Sequence, residues 1–311
     1  MAGLIRASGT GETVLIKHDA VLPTDAPAAV GARSPRRMLL RRTLRHRGLV
    51  LGGGLLVVIV LAAALAPQIA PYDPLVVDTR AMMTPPGSRH LLGTDTLGRD
   101  LLSRVIFGGR ISLLLGVISV TISLVLGLLM GIAAGYFGGR VDEVIMRCTD
   151  VLLAFPGLLL ALLAVFALGA SLTNAMIAVG ISGIPLFARV TRGEVLAAKE
   201  NLYVEAARAM GAPERVILWG HLLPNVIAPN IVIATLRVGT SIIFGASLSF
   251  LGLGAQAPTP EWGLMLSQGR GFLAVAWWQS FAPGLAIFLT VMASNLLGDG
   301  VRDIFDPRMS T

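Results

Sequence analysis

The residue types that usually carry catalysis or bind metals are scattered in this chain of 311 residues. Its four histidines lack metal-ligand spacing, no HExxH motif occurs, and neither a nucleophile elbow nor paired carboxylates in a plausible pocket can be recognised. A phosphate-binding GxxxxGKS/T loop is also missing, since neither Lys17 nor Lys199 follows a glycine. We therefore predict that the chain is not an enzyme and has no metal or nucleotide site. The histidines are His18, His46, His90 and His221.

The most informative stretch is a charged segment, residues 202–225, between two long apolar runs. Its charges, among them Glu205, Arg208 and Glu214, are too many for a segment inside a bilayer. We therefore predict a structured loop in water.

Turn-forming residues divide this loop into two short helices. Asn201 suits the N-cap of the first helix, and Gly211 suits the left-handed position just past its end. Pro213 suits the first turn of the second helix, and Pro224 is expected to limit how far that helix runs. On the resulting knuckle, one charge and two very small side chains would let another protein's backbone approach closely. These three residues are Glu205, Ala206 and Ala207.

The order of these residues resembles the EAA loop of bacterial ABC importer permeases. Glu205-Ala206-Ala207 is followed after three residues by Gly211 and, after eleven more, by Leu223-Pro224. The general pattern has Ile three residues before the proline, where this chain has His221, and its HxLPN ending is similar to the peptide and nickel branch. The resemblance implies that the loop is cytoplasmic and docks into a cleft of an ATPase subunit. The coupling residues it implies are Glu205, Ala206, Ala207, Gly211 and Pro224.

Further segments are similar to the peptide-type permeases of the same family. Residues 90–110 resemble the signature GTDxLGRDxxSRxxYGxRxS, with Phe107 where tyrosine is common. Residues 248–263 resemble LSFLGLGxxPPxPEWG, with Ala257 in place of a proline. GGRVDEVIMR and the C-terminal GDGVRDIFDPR, which ends at Arg308, match as well.

One arginine, Arg237, interrupts a predicted membrane helix about midway along its length. A charge there costs about 2.5 to 3.5 kcal/mol on insertion scales and usually faces a cavity or a partner. A guanidinium in a peptide path could attract a substrate carboxylate. Alternatively, Arg237 pairs with another subunit or with polar groups such as Ser241. These two residues, Arg237 and Ser241, are the candidate substrate-path residues.

Composition indicates an integral membrane protein with several spans. The chain is 54% hydrophobic and only 14% charged, with a mean hydropathy of +0.76, whereas a soluble domain carries about 25% charged residues. Its net charge of +7 could suggest nucleic acid, but the basic residues lie around the apolar runs and in the tail. Cys148 is the only cysteine, so no intrachain disulfide is possible.

The N-terminal residues 1–38 are predicted to form a disordered, basic cytoplasmic tail. Residues up to about 32 lack helical periodicity, and a signal peptide is not expected because no apolar run begins before Leu49. A run of seven arginines then acts as a topology anchor, with a nucleic-acid patch as the alternative. The arginines are Arg33, Arg36, Arg37, Arg41, Arg42, Arg45 and Arg47.

We predict a transmembrane domain over residues 39–311, with six crossings and both termini inside. Segments outside the membrane are expected at about 71–110 and 249–278, and the EAA loop at 193–224. Trp262, Trp277 and Trp278 are expected to form an interfacial belt. The six predicted helices cover residues 49–69, 111–136, 145–168, 174–192, 225–248 and 279–297.

Glycines recur at every fourth residue in the second predicted helix and continue to Gly139. Such a repeat leaves one helix face without side chains, so that another helix can approach closely. We therefore assign Gly127, Gly131 and Gly135 to helix packing.

The resemblance implies an all-α, type I ABC importer permease fold and a C-type subunit of the dipeptide, oligopeptide or nickel class. It implies a heterodimer with a second permease and an extracytoplasmic substrate-binding protein. Two cytoplasmic ATP-binding subunits or domains would use ATP and Mg, while this chain binds no cofactor. The expected location is the bacterial cytoplasmic membrane, in contact with lipids and without nucleic acid.

Peptides are the favoured substrate class, with nickel or haem as alternatives within the same family. A rival from another class is a self-contained secondary transporter or channel. Such a carrier would need intramembrane acidic residues for ion coupling, and the predicted spans contain almost none apart from Asp150 near an edge.

Overall fold

The structure is a computed structural model that describes residues 47–305. The predicted tail, most of its arginine run and Arg308 lie outside the described residues. The described part is all-α, and its extended segments form only an isolated bridge between Thr94 and Asp100. Its helices are α1 (Arg47–Ala64), α2 (Leu101–Phe137), α3 (Gly139–Leu153), α4 (Gly157–Leu168), α5 (Leu172–Lys199), α6 (Leu202–Ala209), α7 (Leu223–Phe250), α8 (Trp262–Gly269) and α9 (Trp278–Phe305). Short helical segments are Ala66–Ile69, Thr79–Ala81, Glu214–Val216, Ile217–Leu222 and Arg270–Phe272.

Helix α2 begins ten residues before its predicted start, so residues 101–110, which were predicted as part of an outside segment, are helical. Asp100 caps the helix, because its side chain accepts a hydrogen bond of 2.8 Å from the Ser103 amide. The charge of Arg104, which made this stretch resemble a loop, is buried and faces Asp95. The helix ends at Gly138, whose φ of +64° suits glycine.

The third predicted crossing, residues 145–168, is wrong as a single helix. The structure divides it into α3 and α4, which are bent by 98°. Pro156 precedes α4 and lacks the amide hydrogen that a continuous helix would need. Helix α3 carries charge throughout and is joined to α5 by two ion pairs, Asp142 with Arg192 and Asp150 with Arg189, each at 2.5 Å.

Two other helices extend past the predicted membrane boundaries. Helix α5 runs to Lys199, so the first seven residues of the predicted EAA loop, 193–199, continue the helix. Helix α9 runs to Phe305 instead of ending at residue 297. In both cases the helix was predicted to end where the apolar residues end. The helical hydrogen bonds continue into the polar residues that follow.

Pro224 does not limit a helix, contrary to the prediction. Residues 214–250 form one helix of 37 residues, which contains a π-helical segment, Ile217–Leu222. In this segment the Leu223 amide donates to the Leu218 carbonyl, five residues back. This wider turn precedes Pro224 directly, where an amide hydrogen is lacking, and lets the chain continue into α7.

Four helices in the described part are long and apolar enough to cross a membrane: α2, α5, α9, and α7 together with its lead-in from Glu214. The bent pair of α3 and α4 could form a fifth span. The apolar part of α1, Gly48–Ala64, is shorter than these helices. The structure thus confirms an all-α membrane fold with four to five spans by length and composition, whereas six were predicted.

Helix α2 packs along α5 through the glycines of the repeat. A Cβ atom on Gly127 would overlap the Phe187 side chain, and one on Gly131 would lie 2.5 Å from the Thr191 Cβ. One on Gly135 would lie 2.8 Å from the Val195 Cβ. The fourth glycine of the repeat, Gly139, has no atom within 4 Å of its Cβ position, so it lies outside this seam.

Candidate coupling and transport-path sites

The loop between α5 and α7, residues 202–222, folds into a compact knuckle. Gly211 has a φ of +76°, and its neighbour Ala212 donates an amide hydrogen bond of 3.0 Å to the Ala207 carbonyl. This left-handed residue ends α6, as the sequence predicts. Pro213 lies one position before the next helical turn, Glu214–Val216, and not within it.

Asn201 occupies the N-cap position of α6, but its side chain does not cap that helix. Its amide nitrogen instead donates to the carbonyls of Ala197 and Ala198, at 3.4 and 3.2 Å. Asn201 therefore satisfies carbonyl groups at the C-terminus of α5 and connects the two helices.

The knuckle is held against the ends of three long helices. The Lys199 ammonium donates to the Gly135 carbonyl at 3.2 Å, and the Arg208 guanidinium lies 5.9 Å from the centre of the Tyr136 ring. The Asn225 amide donates to the Tyr203 hydroxyl at 3.1 Å. Beneath these contacts lies a buried apolar cluster of Val195, Ala198, Val204, Ala207, Ile217, Leu222 and Val226. The knuckle is therefore a packed extension of α2, α5 and α7.

Ala207, one of the predicted coupling residues, is only 3% exposed. It lies one turn from Val204, on the face that packs inward. Glu205, Ala206, Gly211 and Pro224 are exposed.

Sequence reasoning missed the apolar part of this surface. Leu202 and Met210 are each 82% exposed, and the spacing of Leu202, Ala206 and Met210 by four residues forms a stripe on the outer face. Beside it, Val216, Trp219 and neighbouring residues line a shallow depression of about 510 Å³. The four-residue spacing was visible in the sequence, but the inward Val204 and Ala207 obscured which face was free.

Arg237 lies at the middle of α7 and is half-buried. One of its terminal nitrogens, Nη2, lies 3.1 Å from the position that a Cβ on Gly183 would take, beside the seam of α2 and α5. Its buried Nε atom has no hydrogen-bond partner in the described part of the chain. Ser241 is buried one turn further on, and no hydrogen bond within residues 47–305 joins it to Arg237. The structure therefore brings Arg237 to the α2–α5 seam but does not pair it with Ser241.

A second charged region, which the sequence did not reveal as a unit, lies at the opposite end of α2 from the knuckle. We call residues 70–100 and 251–277 the distal cap. Asp95 pairs there with two buried arginines: the distance from its Oδ2 to the Nε of Arg99 is 2.6 Å, and to that of Arg104 3.5 Å. Arg104 also donates to the Pro74 carbonyl at 3.1 Å. Asp100 contacts His90 at 2.8 Å.

Tryptophan and glutamate side chains join the two parts of the distal cap to the bundle. The Trp262 indole donates to the Val105 carbonyl at 2.9 Å, and the Trp278 indole to that of Thr94 at 3.1 Å. Trp262 and Trp278 are 2% and 8% exposed, so the predicted interfacial belt is wrong for both of them. Of the three tryptophans predicted to form the belt, only Trp277 is exposed. Glu261 caps α8 by accepting the amide hydrogens of Gly263 and Leu264, while burial raises the pKa of its carboxyl.

Two family models together match most of the chain. Residues 100–311 match the model described as binding-protein-dependent transport system inner membrane component. Residues 34–86 match the N-terminal TM domain of oligopeptide transport permease C.

Individual proteins are similar over nearly the full length. The glutathione transport system permease protein GsiD of Pectobacterium atrosepticum is 45% identical over 280 residues, which are 90% of this chain and 93% of that protein. The di/tripeptide transport system permease protein DppC of Pseudomonas aeruginosa is 46% identical over 275 residues, covering 86% and 91%. GsiD of Escherichia coli is 46% identical over 278 residues, covering 89% and 92%.

A solved structure shares the fold. A chain from the inward facing conformations of the MetNI methionine ABC transporter superposes with a TM-score of 0.51 at 18% sequence identity. The match covers 65% of this chain and 97% of that one.

Proposed function

Because the chain belongs to the family of binding-protein-dependent transport system inner membrane components, and is an ABC importer permease of the peptide type, we propose that it forms half of the translocation path for dipeptides or oligopeptides. The substrate class rests on relatives named for glutathione and di/tripeptide transport that align with about nine-tenths of the chain. Nickel and haem are the alternative cargoes.

In this proposal the chain crosses the bacterial cytoplasmic membrane six times. Helix α1 is the first crossing, and the bent pair of α3 and α4 is the third. Both termini and the knuckle face the cytoplasm, and the distal cap faces outside. The partners are a second permease in a heterodimer, two ATP-binding subunits or domains that use ATP and Mg, and an extracytoplasmic substrate-binding protein. The surrounding lipids are the remaining contact; no nucleic acid and no cofactor of its own are involved.

The knuckle transmits ATPase motion to the membrane helices. The observation that carries this proposal is an exposed stripe, Leu202, Ala206 and Met210 with Glu205 beside it, on a helix packed against α2, α5 and α7. Such a stripe suits a helix that docks into a groove of another protein. Since the knuckle and the ends of three spans share one apolar cluster, a push on α6 moves them together.

The coupling role can be tested at Gly211, which is exposed and has no atom within 4 Å of its Cβ position. Gly211→Asp adds a Cβ and a charge to the turn; we expect it to abolish uptake by the complete transporter while membrane insertion and subunit assembly remain normal. Gly211→Asn is the matched control, because asparagine tolerates a positive φ and lacks the charge. We expect this control to retain at least about half of the uptake, and normal uptake by Gly211→Asp would disprove the coupling role.

The importer itself can be tested by purifying the tagged chain from native membranes in mild detergent. We expect a second permease and an ATP-binding protein to co-purify, with ATP turnover. Reconstituted complex should import peptides only when ATP is present. A lone chain that moves solute in liposomes without ATP would instead establish a secondary transporter or channel.

A further inference from the structure

Arg237 carries a positive charge in the predicted membrane region, and no acidic residue among residues 47–305 pairs with it. The central parts of the four spans, residues 101–137, 172–193, 223–250 and 278–298, contain no acidic residue. The acids Asp142 and Asp150 of α3 already pair with Arg192 and Arg189 near the coupling end. A charged side chain inside a membrane normally has a partner, and none of the acids in the described spans can supply the anion for Arg237.

Serine hydroxyl groups on α2 and α5 donate to backbone carbonyls, and none of them is hydrogen-bonded to Arg237 in the described part of the chain. Ser119 donates to the Met176 carbonyl at 2.9 Å, and Ser123 donates to that of Gly180 at 2.6 Å. Ser182 donates to the Val179 carbonyl at 2.8 Å. The Ser119 and Ser123 hydroxyls thus join α2 to α5, and Ser182 bonds within α5. The Nε of Arg237 has no hydrogen-bond partner among the described residues.

The position of the guanidinium leaves it reachable by a ligand. It lies against a glycine of α5, Gly183, where a side chain would crowd its Nη2 atom. Arg237 is only half-buried, so part of the side chain remains accessible from the surface of α7. A planar guanidinium with five donors fits a carboxylate with two parallel hydrogen bonds.

We propose that Arg237 is a substrate-binding residue, which holds the C-terminal carboxylate of a peptide midway along the path. The inference rests on the proposed function and deepens it, because it names the chemical group that the path selects: a free carboxylate. Arg237 supplies charge and a bidentate donor pair, and the lack of a side chain at Gly183 makes room for the guanidinium itself.

The experiment compares a free-acid dipeptide with its C-terminal amide in the complete, reconstituted transporter. The wild type should import the free acid at least about tenfold more efficiently, whereas Arg237→Gln should lose about tenfold to a hundredfold of free-acid uptake and leave amide uptake unchanged. Arg237→Lys should be intermediate, because it keeps the charge but not the bidentate geometry. The matched control is Arg110→Gln, at an exposed arginine of α2, which should leave both unchanged.

Assembly of the complex and its basal ATPase activity are measured for every variant. Equal loss for the free acid and the amide would assign Arg237 to the partner permease or to structure and overturn the inference. A wild type that imports both peptides equally well would also overturn it, even if Arg237→Gln failed to assemble. A wild type that hydrolyses ATP but imports neither peptide would overturn the proposed peptide function and this inference with it.

Discussion

Arg104 under the distal cap and Arg237 in the middle of α7 are both largely withdrawn from water, yet their surroundings differ. Arg104 is 1% exposed, shares Asp95 with Arg99 and donates to the Pro74 carbonyl. Arg237 is half-buried, and no carboxylate in the described part of the chain pairs with it. The first arginine therefore belongs to an ionic cluster within the chain, whereas the anion that we propose for the second is a substrate carboxylate.

A buried charge can be assigned to structure or to function according to whether its partners lie in the same chain. A charge whose partners lie in the same chain holds segments together, and removing one partner leaves the others desolvated. A charge without an internal partner weakens the fold and is retained only when something else binds it. This criterion assigns the ionic cluster of the distal cap to structure, and it supports the substrate-binding role that we propose for Arg237.

The largest effect is expected from Asp95→Asn, which leaves Arg99 and Arg104 buried without a carboxylate. We expect a loss of about 3 to 5 kcal/mol of stability, seen as a large drop in the Tm of the purified complex or as failure to accumulate in membranes. Asp73→Asn, at an exposed aspartate of the same region, should change the Tm little. Arg237→Met should leave the Tm equal or raise it, because it removes a charge without an internal partner. A stable Asp95→Asn variant would remove the distinction between the two arginines.

A smaller effect is expected in the seam behind Arg237. A Cβ on Gly131 would lie 2.6 Å from the Ala188 carbonyl oxygen, and backbone atoms cannot move aside easily. Gly131→Ala should therefore cost about 1 to 3 kcal/mol and lower the Tm. Gly193→Ala, on the same helix as Ala188, has no atom within 4 Å of its Cβ position and should be neutral or stabilising by up to about 1 kcal/mol. Equal Tm values for the two variants would show that α2 and α5 can move apart to fit the added methyl group. The helices that pack around Arg237 would then not be rigid.

Local pattern was sufficient for the apolar cores of the long helices and for the turn at Gly211. Both depend on neighbouring residues: an apolar run for a span, and a residue that tolerates positive φ for the end of α6. The exposed apolar stripe at Leu202 and Met210 also depends on nearby residues. It was missed because Val204 and Ala207 form a second apolar stripe on the same short helix, and the sequence does not show which of the two faces outward.

The remaining features depend on contacts between distant parts of the chain. The start of α2 at Leu101 was missed because the charged side chain of Arg104 is buried against Asp95 and the Pro74 carbonyl, which belong to the preceding loop. The buried state of Trp262 follows from its bond to Val105, which is 157 residues away in sequence. The π-helical segment before Pro224 depends on how the knuckle packs under α7. None of these partners can be identified from spacing alone.

The smallest effect concerns Glu261, the one acid of the distal cap whose pKa is raised by burial. A raised pKa means that the folded protein holds this proton more tightly than the unfolded chain, so ionised Glu261 reduces stability above that pKa. As the pH falls through the raised pKa toward the ordinary value of a glutamate, this loss should disappear. From about pH 8 to about pH 5, the Tm of the wild type should therefore rise by about 2 °C relative to Glu261→Gln. This variant keeps one of the two side-chain oxygens that accept the Gly263 and Leu264 amides. Every other titrating group is common to the two proteins, so a constant Tm difference across this range would show that burial does not raise the pKa of Glu261 in the folded protein.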